Sequence, residues 1–396
     1  MLIVQKYGGS SVATTEKIMA IANHLKKIKE NGDDLVVVVS AMGKTTNKLI
    51  TLAKEITENP DTRELDRLMS IGENQTIALL SIALNSIGVK AISFTGEQIE
   101  LKTTGIHTKS RIKSVNSNKI KEYIEKGYIV VVAGFQGVNE NQDITTLGRG
   151  GSDTSAVAIA SSLGCVCEIY TDVDGIYSID PRIYEKAKKI DEISYQEMME
   201  LAYLGAGVME PRAIELGYKY KVPIYVGKSL GEKNGTLIKE RKMEEHKIKG
   251  ISINENTLMV TIDNIPTYAR NLEPIFKKAV ELGINIDLIS HNDVISENGS
   301  IAFTTPRTDE PLLNKLFESL KLENVNVVLN KEVVRVSLVG IGIVTHIGVI
   351  SRIFKVLSEN NLSFHQISTS EISISLVVDE KNGKDIARLL ASEFEL

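Results

Sequence analysis

The chain has 396 residues, of which 42% are hydrophobic and 24% are charged, a balance typical of folded globular proteins. This length exceeds what one hydrophobic core usually holds, so two or three domains are expected. The net charge of −5 has the wrong sign for the basic face that nucleic acid or an anionic membrane would require. We therefore expect no nucleic-acid partner and no membrane partner.

The first residues show no pattern typical of export. An apolar run and a glycine turn, Leu2–Gly9, stand where a signal peptide would have a basic segment followed by a long hydrophobic stretch. The apolar runs are also shorter than the ~20 residues that cross a bilayer. We expect a cytoplasmic protein in which Cys165 and Cys167 are reduced, packed strand residues rather than metal ligands.

Residues 1–240 alternate short apolar runs with helical patterns. This alternation predicts an α/β domain with a mainly parallel sheet sandwiched by helices. Two runs, Leu35–Ser40 and Ile129–Gly134, are typical of buried central strands. Between residues 18 and 28 apolar side chains recur at helical spacing, and Gly32 is placed to end that helix.

A charged stretch follows this first domain, and we take residues 241–250 as a linker. Beyond it lies an internal repeat, in which Phe276 matches Phe354. Each copy has the pattern of a small ferredoxin-like βαββαβ module. We expect one module at 251–330 and a second at 331–396, packed side by side because each is small for an independent domain.

Two glycine-rich turns lie beside predicted strands and helices, Val4–Ser11 and Thr145–Ala156. In an open α/β sheet, ligands bind at the carboxyl ends of strands, where glycine lets backbone N–H groups approach phosphate oxygens. Lys6 adds a mobile positive charge, and Arg149 is suited to a bidentate contact with a carboxylate. The two turns together predict an anion site, although either alone is also consistent with a plain tight turn.

Neither of two well-known nucleotide fingerprints fits the chain. Gly43–Thr45 has the end of a P-loop, but the first glycine would fall at Val38, inside a predicted strand. Three segments begin like a dinucleotide motif, yet Asp153, Glu210 and Thr345 stand where the third glycine belongs. A P-loop enzyme and a dehydrogenase are therefore both disfavoured.

A series of segments spread over nearly the whole chain resembles the aspartate kinases. These segments are VQKYGGSS, SAMGKTTN, the Gly72-Glu73 pair, AGFQG, TTLGRGGSD, YTDVDGIYSIDPR and the tandem C-terminal repeats. The resemblance implies an amino acid kinase fold followed by two ACT domains. It also implies ATP-dependent phosphorylation of the side-chain carboxylate of L-aspartate to 4-phospho-L-aspartate, the first step of lysine, threonine and methionine biosynthesis, with ATP and magnesium as cofactors.

The resemblance assigns roles to individual residues. The implied catalytic residues are Lys6 and Asp153. The implied aspartate contacts are Thr45, Glu73, Arg149 and Ser152. The implied nucleotide contacts are Lys6, Tyr7, Gly8, Gly9, Thr171, Asp172, Tyr177, Arg182, Gly207 and Val208, and no residue is implied as a metal ligand. The side chain of the substrate aspartate has a reference pKa near ~3.9 and is already ionised at neutral pH, so its attack on ATP needs no base. Asp153 is therefore expected to organise Lys6 or magnesium-bound water.

Two of these assignments have alternatives. Asp172 is also consistent with an ordinary strand-end turn. Gly207 is a departure, because aspartate kinases often have a lysine at the matching position after Gly-Ala. We expect weaker or rearranged ATP contacts there rather than loss of activity, with backbone groups of Gly207 and Val208 lining the nucleotide.

The resemblance further implies feedback control by an end-product amino acid bound at the ACT modules. The implied effector contacts are His346, Gly348, Val349 and Asn292. The first repeat has no glycine in the matching loop, where Arg270 or Asn271 would have to substitute. The expected effector is lysine, alone or with threonine, and diaminopimelate is an alternative.

The assembly and the activity each leave alternatives open. A homo-oligomer through the ACT domains is expected. Met243 is a candidate internal start for a separate regulatory subunit, and it is also consistent with an ordinary linker methionine. Another amino acid kinase, acting on glutamate or carbamate, would share the glycine turns but not the tandem repeats. A catalytically impaired amino-acid sensor of the same fold is the alternative from a different functional class.

Overall fold

The computed structural model describes residues 1–240, 248–266, 269–292, 298–320, 324–343 and 347–396. These residues divide into two compact units. The first unit contains Met1–Ile176, Lys189–Ala202 and residues 207–240. The second contains Tyr177–Lys188, Tyr203–Ala206 and the described residues from 248 onward. Two short segments inside the predicted catalytic range thus belong to the second unit.

The strands of residues 1–240 are β1 (Leu2–Tyr7), β2 (Asp34–Val39), β3 (Ala91–Phe94), β4 (Lys102–Thr104), β5 (Arg111–Ser114), β6 (Ile129–Ala133), β7 (Gln136–Val138), β8 (Ile144–Thr146), β9 (Val166–Thr171), β10 (Ile176–Tyr177), β11 (Lys189–Ile190), β12 (Glu192–Ile193), β13 (Ile224–Lys228) and β14 (Thr236–Ile238). The helices are α1 (Thr15–Glu30), α2 (Thr45–Ile56), α3 (Thr62–Ser86), α4 (Asn118–Glu125), α5 (Gly151–Leu163), α6 (Tyr195–Tyr203) and α7 (Pro211–Tyr220).

The first unit is built on an eight-stranded sheet in the order β12-β14-β13-β9-β1-β2-β6-β3. The pairs from β13 to β3 are parallel, and β13 with β14 is antiparallel. Strand residues alternate between the two faces: Ile3 and Tyr7 share a core with α1 and α3, whereas Lys6 points toward α5. The predicted mainly parallel sheet with helices on both faces is confirmed.

Local sequence explains where these helices begin and end. Thr14 and Asp61 cap α1 and α3, since their side chains accept hydrogen bonds from the N–H groups of Lys17 and Glu64. Helix α1 ends just before Gly32, which has a φ of 90°, as the sequence predicted. Strands β2 and β6 are buried, as their apolar runs predicted. A second sheet, in the order β5-β4-β7-β8, leads directly into the Thr145–Ala156 turn.

Both cysteines of the first unit are free thiols. Cys167 is fully buried in β9, and Cys165 lies just before that strand. Burial raises the pKa of the Cys165 thiol to about 11 and that of Cys167 well above its usual value, so both are poor nucleophiles at neutral pH. None of the helices in the described ranges is long and apolar enough to cross a bilayer.

The strands of the second unit beyond residue 248 are β15 (Gly250–Asn254), β16 (Thr257–Pro266), β17 (Ile289–Asn292), β18 (Asn298–Pro306), β19 (Asn326–Asn330), β20 (Val333–Val339), β21 (Gln366–Thr369) and β22 (Ser373–Asp379). The helices are α8 (Ala269–Glu281), α9 (Glu310–Leu320), α10 (Val349–Glu359) and α11 (Glu380–Glu393), with a 3-10 turn at Arg307–Asp309 before α9.

Two four-stranded antiparallel sheets carry the predicted repeat. The first, β17-β18-β16-β19, is formed by one continuous βαββαβ module from β16 to β19. The second, β15-β20-β22-β21, takes three strands from the second repeat and its edge strand from β15. Strand β15 lies in the range expected for the first module, but it pairs along its length with β20. The first module is therefore inserted between two strands of the second sheet.

A charged pair links the two modules. Arg335, on β20, is only 3% exposed, and its guanidinium forms an ion pair with Asp287, in the loop between α8 and β17. Apolar side chains from both sheets, among them Met259 and Val377, pack in the same part of the unit. A buried guanidinium needs an anionic partner, so this pair fixes how the modules meet.

Replacing Asp287 by alanine should destabilise the second unit. The change removes the Asp287 carboxylate from the buried Arg335 guanidinium, at a cost of about 1–2 kcal/mol because Asp287 itself is half exposed. Urea unfolding should show this as a lower midpoint with an unchanged slope. The matched control is Asp385→Ala, which breaks a surface pair with Arg388 and should cost less than about 0.5 kcal/mol. Equal midpoints for the two variants would contradict the assignment.

Candidate active site

Four neighbouring strands of the first unit end at the same edge of the sheet. Tyr7, the last residue of β1, is level with Val39 of β2 and Tyr170 of β9, and Val39 is level with Ala133 of β6. The glycine-rich turn after β1, the Ala41–Gly43 turn after β2 and the loops after β6 and β9 all start there. This edge is where open α/β sheets bind ligands.

A buried ion pair lies at the centre of this edge. The Lys6 ammonium is 2.5 Å from Oδ1 of Asp153, and both residues are 8% exposed. Lys6 comes from β1, and Asp153 from the first turn of α5. The structure thus brings together the two residues predicted to be catalytic, and it supports Asp153 as the organiser of Lys6.

The turn after β1 requires glycine for close packing. The Gly8 N–H donates to the carbonyl of Tyr170 at 3.2 Å, and Gly43 N–H donates to the carbonyl of Gly9 at 3.0 Å. A Cβ on Gly9 would lie 2.8 Å from the carbonyl oxygen of Ala41, too close for any side chain. The turn is therefore pressed against the Ala41–Gly43 turn, with Lys6 Nζ beside Gly8.

The predicted phosphate contact of Tyr7 stays a prediction, and it would involve the backbone rather than the ring. Its ring is fully buried on the opposite face of the sheet from Lys6. It stacks on Tyr170 with 5.2 Å between ring centroids, and its hydroxyl donates to Gln5. Adjacent residues of a strand point to opposite faces, so a lysine aimed at the ligand forces Tyr7 into the core.

Glu73 presents a buried carboxylate to the same region. It lies on α3 and is 3% exposed, and its Oε1 accepts a hydrogen bond from Ala41 N–H at 3.0 Å. Oε2 is buried and has no hydrogen-bond partner among the described residues. Burial raises the pKa of Glu73 to about 7, partly offset by the bond from Ala41. Thr45 begins the neighbouring α2, with its hydroxyl donating to the carbonyl of Met42.

The start of α5 forms one wall of the site. Gly150, with a φ of 63°, caps the helix in the left-handed conformation that favours glycine. Ser152 is buried against Gly134, whose missing Cβ leaves room for the serine hydroxyl. Arg149 is exposed just before the helix. A helix N-terminus beside an exposed guanidinium favours an anion.

Two further residues of this wall escaped the sequence analysis. Phe135 follows β6 with a φ of 68°, a strained conformation for a bulky residue that usually marks a functional site. Glu210 packs against Gly150, and a Cβ added to Gly150 would lie 2.4 Å from the Cβ of Glu210. Burial and the nearby Asp153 raise the pKa of Glu210. The available signals were a bulky residue between glycines in AGFQG and a carboxylate one residue before Pro211.

The predicted nucleotide contacts fall in both units. Thr171 ends β9 with its hydroxyl bonded to Asp172, and Gly207 is exposed beside a half-buried Val208. Tyr177 and Arg182 belong to the second unit, so their contact with a nucleotide stays a prediction. Within the described residues, no group of three or more His, Cys, Asp or Glu side chains is arranged to hold a metal ion.

The predicted effector residues lie in the second unit. Gly348, with a φ of 100°, caps α10, and Val349 is its buried first residue. His346 falls outside the described residues, as does Met243, and Asn292 is the last residue of β17. In the first module, the Asn271 side chain donates to the carbonyl of Pro266.

Comparison with known proteins identifies the family. The model of the amino acid kinase family matches residues 1–228, and that of the ACT domain matches residues 336–394. The aspartokinase of Geobacillus stearothermophilus is 44% identical over 383 residues, which cover 96% of this chain and 94% of that protein. Aspartokinase 2 of Bacillus subtilis is 42% identical over 400 residues, covering 100% and 98%. This chain is an aspartokinase of the amino acid kinase family.

Solved aspartokinase structures share the fold. E. coli aspartokinase III in complex with aspartate and ADP superposes with a TM-score of 0.85 at 24% identity, over the full length of both chains. Aspartate kinase from Synechocystis is 34% identical with a TM-score of 0.57, and the match covers all of this chain and 69% of that one. The predicted family, its α/β kinase fold with C-terminal ACT modules, and the prediction of a kinase are confirmed.

Glu73 is predicted to hold the ammonium group of the amino acid, so its raised pKa should make the affinity for that amino acid pH-dependent. A protonated Glu73 cannot hold an ammonium group, so kcat/KM for the amino acid should fall about tenfold per unit as pH drops below about 7. A bound ammonium would lower the pKa of Glu73, so kcat should vary less. Initial rates between pH 6 and 8.5, at saturating ATP, measure both profiles.

The control is Glu73→Gln, which keeps the shape and removes the charge. Its KM for the amino acid should rise roughly 10- to 100-fold, and its kcat/KM should no longer depend on this ionisation. Because burial penalises ionised Glu73, the variant should be at least as stable as wild type at pH 8, which separates lost binding from unfolding. A wild-type profile that is flat between pH 6 and 8 would contradict the role.

Proposed function

We propose that this aspartokinase transfers the γ-phosphoryl group of ATP to the side-chain carboxylate of L-aspartate, giving 4-phospho-L-aspartate and ADP. The observation that carries the proposal is the Lys6–Asp153 ion pair, buried where the glycine turn after β1 meets the start of α5. A lysine held at that point lies between a predicted phosphate site and a predicted carboxylate site. It is suited to a group that passes from one to the other.

The amino acid is proposed to bind through its ammonium group and one of its carboxylates. The buried oxygen of Glu73 that has no hydrogen-bond partner in the described part of the chain takes the ammonium group, and the exposed Arg149 takes a carboxylate. Hydroxyl groups of Thr45 and Ser152 complete the contacts. Arg149 and Glu73 would suit glutamate as well, and one methylene often discriminates by only about 1–3 kcal/mol. The choice of aspartate therefore rests on the similarity to the relatives.

The nucleotide is proposed to lie along the exits of β1 and β9. Backbone groups of Tyr7, Gly8 and Gly9 contact the phosphates, and Thr171, Asp172, Gly207 and Val208 contact the remainder. Tyr177 and Arg182 are further predicted contacts. Magnesium is proposed to arrive with the nucleotide, because it is usually held by phosphates, water and one or two carboxylates. Asp153 is the carboxylate proposed to contact this magnesium ion through a bound water molecule.

The chemistry needs charge neutralisation more than proton transfer. The attacking carboxylate is already ionised at neutral pH, whereas its approach to a polyanion is opposed by repulsion. Lys6 and the N–H groups at the start of α5 offset this repulsion by stabilising negative charge as phosphoryl transfer proceeds. Bound magnesium supplies further positive charge to the phosphates. Asp153 keeps the Lys6 ammonium in position, so no residue of this chain is required to act as a base.

Regulation is proposed to follow from the ACT modules. E. coli aspartokinase III has been solved in complex with lysine and aspartate, and we infer that lysine, with or without threonine, inhibits this chain. Gly348 and Val349, at the start of α10, are the proposed contacts, together with His346 and Asn292. Assembly as a homo-oligomer through these modules, a separate subunit from Met243, and a cytoplasmic location are parts of the same proposal.

The direct test is hydroxamate formation from acyl phosphate, using purified full-length protein, magnesium-ATP and either aspartate or glutamate. We expect product with aspartate, little with glutamate, and suppression by lysine with or without threonine. Lys6→Ala is the control against a contaminating kinase, and loss of its charge should lower kcat by about 100-fold or more. No product with either acid, while lysine still binds, would instead support an amino-acid sensor.

Restoring a lysine at Gly207 should strengthen ATP binding. A Cβ added at this position would meet no heavy atom within 4 Å, and the backbone does not have a positive φ, so a side chain fits without strain. An added ammonium beside the proposed nucleotide site should lower the KM for ATP about three- to tenfold, and more at low salt. Steady-state kinetics of Gly207→Lys at two ionic strengths measure the change.

The matched control for that substitution is Gly207→Ala, which adds a side chain without charge and should leave the KM for ATP near the wild-type value. The KM for aspartate should be unchanged in both variants. If Gly207→Lys and Gly207→Ala have the same KM for ATP, residue 207 does not face the nucleotide.

A further inference from the structure

A chain of hydroxyl groups crosses the exits of three neighbouring strands in the first unit. Ser229 directly follows β13 and is half-buried. Its hydroxyl donates to the carbonyl of Thr171, the last residue of β9, at 3.1 Å. The same oxygen forms a short hydrogen bond with the hydroxyl of Ser11, which follows the glycine turn after β1. Ser229 thus joins the two elements proposed to hold the nucleotide.

The direction of this chain follows from the number of protons available. A serine hydroxyl has one proton to donate, and a carbonyl oxygen can only accept. Ser229 gives its proton to Thr171, so the bond between the two serines is donated by Ser11. Hydrogen bonds arranged in one direction polarise and strengthen one another. The arrangement therefore fixes the Ser11 end of the glycine turn with respect to the end of β9.

Ser229 is held in place independently of any ligand. Strand β13 pairs with β9 as far as Lys228 and Thr171. After Ser229 the chain is anchored again, because the Lys233 ammonium forms an ion pair with the buried Glu168 of β9. A residue fixed on both sides is a suitable anchor for a neighbouring turn.

The glycine turn is held from two directions. On one side Gly43 N–H donates to Gly9 and the turn contacts Ala41, close to Glu73 and the proposed amino-acid site. On the other side the serine chain and the Gly8 bond to Tyr170 hold the turn, and the Lys17 ammonium donates to the carbonyl of Ser10. Loss of the serine chain should therefore loosen the part of the turn next to the proposed nucleotide site. The part next to the proposed amino-acid site should stay in place.

We propose that Ser229 is a positioning residue that sets the glycine turn for nucleotide binding through Ser11 and Thr171. This inference rests on the proposed nucleotide site at Gly8, Gly9 and Thr171. Ser229 acts through other residues and is not assigned a contact with the nucleotide.

The test compares Ser229→Ala, Ser11→Ala, the double variant and Ser229→Thr. Ser229→Ala should raise the KM for ATP and the Kd for magnesium-ADP about tenfold, equivalent to about 1.4 kcal/mol. It should change kcat less than about threefold and leave the KM for aspartate unchanged. Ser11→Ala should have a smaller effect in the same direction, and the double variant should match Ser229→Ala, because both residues act in one chain. Ser229→Thr keeps the hydroxyl and should restore nucleotide affinity.

The matched control is Ser162→Ala, which removes a half-buried hydroxyl that donates to the carbonyl of Ile159 near the far end of α5. It should alter neither KM. Unchanged magnesium-ADP binding in Ser229→Ala, or an equal loss for both substrates with a lowered melting temperature, would overturn the role of Ser229. Absence of magnesium-ADP binding by the wild-type protein, measured by calorimetry, would overturn the proposed kinase activity and this inference with it.

Discussion

The buried ion pair of Lys6 and Asp153 is the interaction on which the catalytic unit depends. Taking either charge out of water is costly unless the other lies beside it, so β1 and the start of α5 must meet at one distance. Strand β1 lies between β2 and β9, with the face that bears Lys6 toward α5. The carboxyl ends of these strands therefore lie around Lys6, whose ammonium group is fixed by Asp153.

Glu73 shows the opposite electrostatic state in the same site. Asp153 has its cation within the protein, whereas one oxygen of Glu73 is buried with no hydrogen-bond partner among the described residues. The paired carboxylate holds its neighbour in position. An unpaired one has a raised pKa and gains a partner only when a ligand brings a cation. The difference supports separate proposed roles, in which Asp153 positions Lys6 and Glu73 binds the substrate's ammonium group.

The sequence predicted what local patterns encode and missed what pairing between distant segments decides. Uninterrupted valine runs identified β2 and β6, and glycine spacing identified both turns of the site. The burial of the Tyr7 ring was not predicted, because motif resemblance does not record on which face of a strand a residue lies. In the sequence, Glu210 is distinguished only as the residue that replaces the third glycine of a dinucleotide motif. No local pattern indicates that it packs on Gly150, 60 residues earlier in the chain.

The pairing of β15 with β20 has a consequence for the regulatory region. The first module lies between two strands of the second module's sheet, so the second sheet is complete only when the chain on both sides of the first module is present. A chain that began at Met243 would retain β15 and hence every strand of both sheets. It would lack Tyr177–Lys188 and Tyr203–Ala206, which pack in the same unit. These two segments are the part of the regulatory unit that only the full chain supplies.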